Sequence, residues 1–201
     1  MEEKKGISKK IIIFVFIFSI LLLFLIVFSF SIYTNEPVKV KNETLDGGEV
    51  SLTYTDDENV FSIDSSTPTS DITGKKLDSA DKYFDFSVST TIDEANEIEY
   101  EISVKKLADK STIKDEEIKI YLEKQKKGTY TSVFEPSVFM PLKKDTKLGS
   151  KEGSMVLTKE TVSKDTVDNY RLRMWLADTA VVDANLSRSY SVEIIVNAKS
   201  K

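Results

Sequence analysis

The chain has 201 residues and contains neither cysteine nor histidine. Without cysteine it has no disulfide and no thiol nucleophile, and without histidine it has no Ser-His-Asp triad. The two absences together exclude Cys/His zinc sites and histidine general bases. The residue types therefore predict a protein that is not an enzyme and that holds no cofactor.

A basic surface is also missing. The net charge of the whole chain is -5, and the part after residue 33 carries -7. Nucleic-acid binding requires a basic stripe, so we expect no nucleic-acid partner. The excess of acidic residues is typical of a soluble, solvent-exposed domain.

One long hydrophobic run stands close to the start of the chain. It extends from Ile11 to Tyr33 and contains no charged residue. As a helix with a rise of ~1.5 Å per residue it is long enough to cross a hydrocarbon core of ~30 Å. We therefore predict a single transmembrane helix, or signal anchor, with the lipid bilayer as its partner.

The lysines next to this run predict its orientation. Lys4, Lys5, Lys9 and Lys10 precede it, whereas no basic residue follows it before Lys39. By the positive-inside rule, residues 1–10 form a cytoplasmic tail and the C-terminal part is extracellular. Cleavage after Ser31 is an alternative, because small residues precede that bond, and it would yield a secreted protein.

The remainder of the chain alternates apolar and polar residues with a period of two, which is typical of β-strands with one buried face. The clearest segments are 84–88, 98–104, 118–122, 170–176 and 190–196, and weaker ones lie at 50–54, 60–63, 133–139 and 155–162. We predict an all-β ectodomain of about eight or nine strands, either an immunoglobulin-like or a jelly-roll sandwich.

Two polar stretches interrupt this pattern. Residues 34–48 are predicted to form a stalk, which places the extracellular β-sandwich domain at 49–201. Residues 64–82 are long for a loop inside a sandwich, so we expect either a flap over a sheet edge or a functional loop. The acidic turn 56–59 lacks the register of a calcium loop and is interpreted as a solvated turn, with calcium binding as the alternative.

The most distinctive segment runs from Asn169 to Trp175. If Tyr170, Leu172 and Met174 face the core, then Arg171, Arg173 and Trp175 line the opposite face. Arginine beside tryptophan stacks by a cation–π contact, so these three residues are a candidate surface for a glycan or a partner subunit. The alternative is a sheet face that is partly covered by residues 64–82.

Several segments together resemble a known group. They are the lysine-rich start with its hydrophobic run, Ser51 to Asp56, Phe84 to Ser89 and Asn169 to Trp175. This combination is similar to the secreted and membrane-anchored β-sandwich proteins of Gram-positive bacteria in the TasA/camelysin group. The resemblance implies an extracellular domain, matrix fibres built by donation of an N-terminal strand in TasA-like members, and a metalloprotease in camelysin-like ones, although this chain has no histidine to bind zinc.

These observations lead to two main functional hypotheses, and to a third, an enzyme that is either calcium-dependent or a glycosidase. The first is a non-enzymatic, membrane-anchored cell-surface protein with a structural or interaction role at the bacterial envelope, contacting itself or other envelope or matrix proteins. The second is a secreted fibre subunit that donates the segment after residue 31 to a neighbour.

Overall fold

The computed structural model describes residues 39–45, 47–54, 58–64, 67–93, 97–181 and 187–201. Strands account for most of them. They are β1 (Lys39–Leu45), β2 (Gly48–Tyr54), β3 (Val60–Asp64), β4 (Tyr83–Ile92), β5 (Ile98–Lys106), β6 (Ile118–Lys126), β7 (Thr129–Val138), β8 (Ser154–Val162), β9 (Thr166–Leu176) and β10 (Ser189–Ser200). Helix in this part of the chain is limited to α1 (Asp71–Gly74) and the 3₁₀ turns Ala80–Lys82, Ala108–Lys110 and Asp115–Glu117.

The strands form two antiparallel sheets. One has six strands in the order β1-β2-β4-β9-β6-β7, and the other has four in the order β3-β10-β5-β8. From β3 onward the strands form four nested antiparallel pairs. β6 pairs with β7, β5 with β8, β4 with β9, and β3 with β10. Successive pairs lie alternately in the six-stranded and the four-stranded sheet, and the β1–β2 hairpin extends the six-stranded sheet beyond β4.

The core consists of the inward rows of both sheets. Phe84, Phe86 and Val88 of β4 are buried, and the ring of Phe84 lies 6.2 Å from that of Phe61 on β3 in the opposite sheet. Each of the nine predicted strands is observed at its predicted place, including 118–122, where the period of two outweighs good helix formers nearby. The prediction of a mostly β-structure is thus confirmed.

One boundary differs from the expectation. The sequence assigns residues 34–48 to a stalk, yet β1 pairs with β2 along its whole length, from Lys39 opposite Tyr54 to Leu45 opposite Gly48. The sheet therefore starts ten residues before the predicted domain boundary. The β1 sequence escapes the alternation rule because it lies at a sheet edge, where neither face must be fully apolar.

The predicted transmembrane segment, residues 11–33, lies outside the described residues, as do the cytoplasmic tail and residues 34–38. In the part of the chain that the structure describes, no helix is long and apolar enough to cross a bilayer.

The connection from β7 to β8 packs on the outer face of the four-stranded sheet through one buried carboxylate. Glu101 of β5 is 0 % exposed and accepts hydrogen bonds from the backbone N–H of Ser150, at 3.0 Å, and from the hydroxyl of Thr146. The ammonium of Lys159 lies 3.2 Å from its Oε2. Glu101 therefore holds the loop of residues 139–153 on the sheet.

These contacts change the acidity of Glu101. Burial alone would raise its pKa, but the hydrogen bonds from Ser150 and Thr146 and the Lys159 ammonium favour the carboxylate more strongly and hold the pKa below its ordinary value. A carboxyl whose pKa is lower in the folded state than in the unfolded state stabilises the fold above its ordinary pKa. That contribution is lost as the pH falls through the lower, folded-state value.

We expect Glu101→Gln to lower the free energy of unfolding at about pH 7 by about 1.5–3 kcal/mol, because a charged acceptor of several hydrogen bonds is removed. Near pH 3, below the ordinary glutamate pKa of ~4.3, the two proteins should become more alike, because the unfolded wild-type chain is then largely protonated at Glu101 and part of the contribution of its carboxylate is lost. Urea unfolding followed by the fluorescence of Trp175 measures both differences. Glu152→Gln, in the same loop but exposed, is the control. An equal difference at both pH values would contradict the assignment.

Candidate functional site on the six-stranded sheet

The predicted alternation along β9 is observed. Tyr170, Leu172 and Met174 are fully buried in the core. Arg171 and Arg173 lie on the outer face, where their cross-strand partners are Asp85 and Tyr83 of β4. Trp175 continues the same outer row toward the end of the strand, so all three predicted residues share one face.

A polar segment covers one end of this face. This strap, residues 67–82, starts with a parallel bridge between Thr69 and Ala177 and a hydrogen bond from Thr69 N–H to Leu176 C=O, 2.9 Å long. Its helix α1 lies directly on the indole of Trp175, which is only 2 % exposed. Trp175 is therefore a packing residue beneath the strap and is not accessible to a partner. This corrects its place in the candidate surface, and the strap of residues 67–82 provides the cover that was the alternative expectation.

Arg173 is buried in the same contact. Its guanidinium pairs with the carboxylate of Glu123 on β6, and its Nε donates to the backbone C=O of Leu77 in the strap at 2.7 Å. The hydroxyl of Tyr121 donates to Glu123 at 3.2 Å. Arg173 thus joins the strap to the sheet, and it too is removed from the candidate surface.

The third predicted residue, Arg171, remains partly accessible. It makes a bidentate contact with Asp85, with N–O distances of 2.7 and 2.6 Å. Its guanidinium lies between two rings, 3.9 Å from the centroid of Tyr83 and 4.6 Å from that of Tyr130. Asp85 is the main reason that the pKa of Arg171 is raised. The expected cation–π contact with Trp175 is replaced by contacts with tyrosines. Trp175 is four residues from Arg171 on the same strand, whereas side chains directly opposite on adjacent strands are closer.

A neutral polar row continues the accessible part of the face toward the other end of the strands. Ser87 donates to the side-chain carbonyl of Asn169 at 2.7 Å, and the Asn169 amide donates to Gln125 at 3.1 Å. Tyr130, on the edge strand β7, is the cross-strand partner of Gln125 on β6. We name Arg171, Asp85, Tyr130, Asn169 and Gln125 the open face. The last four were missed from the sequence, although their parity within the strands would have placed them there.

A second polar group lies between the two sheets and was also missed. The ammonium of Lys124 on β6 lies 2.9 Å from Oδ2 of Asp168 on β9 and 3.5 Å from Glu160 on β8. The hydroxyl of Tyr100 donates to the same Oδ2 at 2.9 Å and lies 2.8 Å from the hydroxyl of Tyr170. We name these five residues the inter-sheet cluster. Lys124 and Asp168 continue the inward rows of their strands by two residues, which is the signal that could have revealed them.

Burial and charge act in opposite directions in this cluster. Burial alone would lower the pKa of Lys124, but the contacts with Asp168, Tyr170 and Glu160 favour the ammonium and raise it. Burial is the main reason that the pKa of Tyr170 is raised to about 12, so its hydroxyl stays neutral. The structure therefore holds Lys124 and Asp168 as an ion pair that faces the core.

The acidic turn does not assemble into a metal centre within the described residues. Asp56 and Asp57 lie outside them, Glu58 pairs with Lys110 at 3.5 Å, and Asn59 donates to the backbone of Ile194. Across the described ranges, no three acidic side chains come close enough together to hold a metal ion.

Gly74 is the point where the strap touches the indole, and it tests the packing. A Cβ at this position would lie 2.2 Å from Cε2 of Trp175, although the backbone of Gly74 itself is not in the left-handed region. We expect Gly74→Ala to reduce the free energy of unfolding by about 1–3 kcal/mol through overpacking. Acrylamide should also quench Trp175 more strongly.

The matched control is Ile72→Ala, in the same helix but 75 % exposed. It should leave both quantities nearly unchanged. Unaltered quenching in Gly74→Ala would show that the strap does not shield the indole.

No protein-family model, no curated protein and no solved structure matches this chain. The resemblance to the TasA/camelysin group therefore stays a prediction.

Proposed function

We propose that the chain is a non-enzymatic cell-surface protein, anchored in the membrane by residues 11–33, whose extracellular jelly-roll domain has a structural or interaction role at the bacterial envelope. The observation that carries the non-enzymatic part is the pairing of the buried charges. The buried Glu101 accepts a hydrogen bond from the backbone N–H of Ser150, and the buried Glu123 and Arg173 form an ion pair with each other. Each buried charge therefore has a structural partner.

The acidity of the carboxyl groups supports the same conclusion. Among the described residues, shifted carboxyl pKa values lie below the ordinary range, at Asp81, Glu101, Glu117, Glu135 and Asp145. Hydrogen-bond donors and cationic side chains beside each carboxylate outweigh whatever burial opposes them. A glycosidase acid requires the opposite shift, a carboxyl that stays protonated near neutral pH.

The strand pairing supports a jelly roll over an immunoglobulin-like sandwich. Four nested pairs, from β6–β7 outward to β3–β10, alternate between the sheets. This is the arrangement expected of eight strands in two Greek keys, whereas a constant-type immunoglobulin sandwich has seven strands. The open face, which extends from the central strands to the edge strand β7, then offers an arginine, a tyrosine and amides on rigid elements. These groups suit recognition of a neutral or mildly acidic partner.

The envelope location rests on the hydrophobic run and its flanking lysines. It is tested with the full chain carrying an epitope tag after Lys201, expressed in a Gram-positive host. Trypsin added to intact protoplasts should remove the tag, because the domain faces outward, and the protein should sediment with membranes. A variant without residues 11–33 is the control and should stay protected and soluble.

Protection of the full chain in intact protoplasts, with digestion only after lysis, would contradict the proposal. Intact mass of the same samples separates the two hypotheses. A full-length mass confined to membranes supports the anchored protein, and a mass beginning near Ile32 in the medium supports the secreted subunit.

One observation favours the second function, a fibre subunit. Strand β3 pairs only with Ser189–Glu193 of β10, so residues 194–200 of β10 have no strand beside them on that side within the described part of the chain. A groove of about 270 Å³ with both polar and apolar lining adjoins this edge. It is lined by Lys41, Asn42 and Glu43 of β1, Val50 and Leu52 of β2, and Ile195, Val196 and Asn197 of β10. Asn59 occupies the backbone N–H and C=O of Ile194, and Glu43 accepts from the N–H of Ala198, so an added strand would have to displace these contacts. An unpaired strand edge beside a groove is where an added strand binds.

Deletion of residues 32–38 tests this alternative on a chain that begins at Ile32. The deletion leaves β1 intact, since β1 starts at Lys39. If residues 32–38 are donated to a neighbour, the deletion should abolish fibres in electron microscopy. Replacing only Asn35 and Glu36 by other polar residues is the control and should not. Unchanged polymerisation of the deletion variant would rule out strand donation.

A further inference from the structure

The inter-sheet cluster combines the groups that are needed to form an amide bond. Lys124 supplies an amine and Asp168 a carboxyl group, with Nζ 2.9 Å from Oδ2. Because a carboxyl C–O bond is about 1.2 Å long, Cγ of Asp168 lies no more than about 4 Å from that nitrogen. Glu160 reaches the same nitrogen from the opposite sheet, at 3.5 Å, and Tyr100 donates to Oδ2.

These two side chains are also shielded from solvent. The side chains of Lys124 and Asp168 are 13 % and 18 % exposed, and the ring of Tyr170 lies 5.6 Å from the ammonium. We propose that Lys124 and Asp168 condense to an intramolecular isopeptide bond that links β6 to β9, with Glu160 as the group that transfers protons. The ion pair in the structure is the state before condensation.

A second lysine–aspartate pair, Lys106 with Asp115, provides a comparison for Lys124 and Asp168. Lys106 lies 2.5 Å from Asp115, and Tyr190 donates to Asp115 at 3.0 Å, so the amine, the carboxylate and the tyrosine are all present there. In the described residues no second carboxylate makes an ion pair with Lys106. The pair is also more exposed, at 25 % and 35 %. Glu160 and the deeper burial are thus what distinguish the inter-sheet cluster, and Lys106–Asp115 serves as an internal control.

The reaction balances without a further reactant. Glu160 accepts a proton from the Lys124 ammonium and delivers it to the Asp168 carboxylate, which leaves a neutral amine and a neutral acid. The lone pair of Nζ attacks Cγ, and a C–N bond forms. The nitrogen then gives a second proton through Glu160 to the Oδ2 hydroxyl, which leaves as water while the C–Oδ2 bond breaks. The products are a secondary amide and one water, no atom is oxidised or reduced, and Glu160 ends as a carboxylate.

Intramolecularity is what makes this condensation favourable. Between free molecules in water, an amine and a carboxylic acid remain unlinked because both are ionised and solvated. Groups held in a near-attack geometry on a rigid scaffold reach effective molarities of ~10⁵–10⁸ M. The strands β6 and β9 are hydrogen-bonded neighbours along seven residue pairs, so the folded sheet supplies that geometry before any bond forms.

The test is the mass of the full chain, measured intact under denaturing conditions and after proteolysis. The proposal expects a mass lower than that of the sequence by one water, and a branched peptide in which Lys124 is joined to Asp168 in the tandem mass spectrum. A wild-type chain with the full mass, or a loss of water that maps to Lys106–Asp115 or to any other site, would overturn the proposal.

Variants assign the roles of the three residues. Lys124→Arg keeps the ion pair but cannot form the bond, so the full mass should return, as it should in Asp168→Ala. Glu160→Gln should slow linkage by about 10²–10⁴-fold, the usual contribution of a general acid–base group. Asp115→Ala is the matched control and should retain the loss of water. Loss of water that persists in Asp168→Ala would overturn the bond, and linkage at an unchanged rate in Glu160→Gln would overturn the role of Glu160.

Discussion

A strand in a sandwich presents one row of side chains to the opposite sheet and the other row outward, and this alternation is the constraint from which the rest of the molecule follows. Along β9, the inward row of Tyr170, Leu172 and Met174 is sealed in the core. The outward row then consists of Arg171, Arg173 and Trp175, which differ greatly in polarity. A large indole on an outward position exposes apolar area, and burying that area would stabilise the fold by ~25 cal/mol per Å². The strap supplies that burial, and Gly74 gives it the closest possible approach.

Covering an outer row that also contains charges creates a second requirement. Removing one partner of a buried ion pair costs about 3–5 kcal/mol, so a charge under a cover must bring its partner with it. Arg173 does so with Glu123 on the neighbouring strand and a strap carbonyl. On the other sheet Glu101 binds the loop of residues 139–153 in the same manner. Each outer face is therefore partly covered by a polar segment that a buried charge holds in place. Arg171 with the amide row belongs to the part of the six-stranded sheet that stays open.

The sequence allows the strands to be predicted better than their arrangement, for a physical reason. The period of two reports that a residue faces a core, so it located β2 to β10. It did not find β1, whose Lys41, Asn42 and Glu43 are exposed at an edge. Alternation carries no information on which strand pairs with which, so the nested order of the sheets could not be read from it. For the same reason the outer row of β9 was predicted correctly, but alternation could not decide between an open surface and a face covered by residues 64–82, the two alternatives that the sequence left open. The strap that covers it is polar, and only its contacts, such as Thr69 with Ala177, place it on the face.

At two places near the ends of the interior, a buried tyrosine contacts an aspartate that is paired with a lysine. Near each end, an inward-facing tyrosine has its ring in the core and its hydroxyl on an aspartate: Tyr190 with Asp115, and Tyr100 with Asp168. Tyrosine suits this position because its ring tolerates burial while its hydroxyl needs a partner. In each case a lysine neutralises the aspartate, which lets a carboxylate sit at the edge of a low-dielectric region. Within the described residues, only the second end adds a carboxylate from the opposite sheet, Glu160, that structural neutralisation does not require. One lysine there faces two acids and carries the charge to balance only one, so the arrangement holds a surplus proton acceptor beside an amine and a carboxyl group in contact. That surplus separates a structural ion pair from a reactive one.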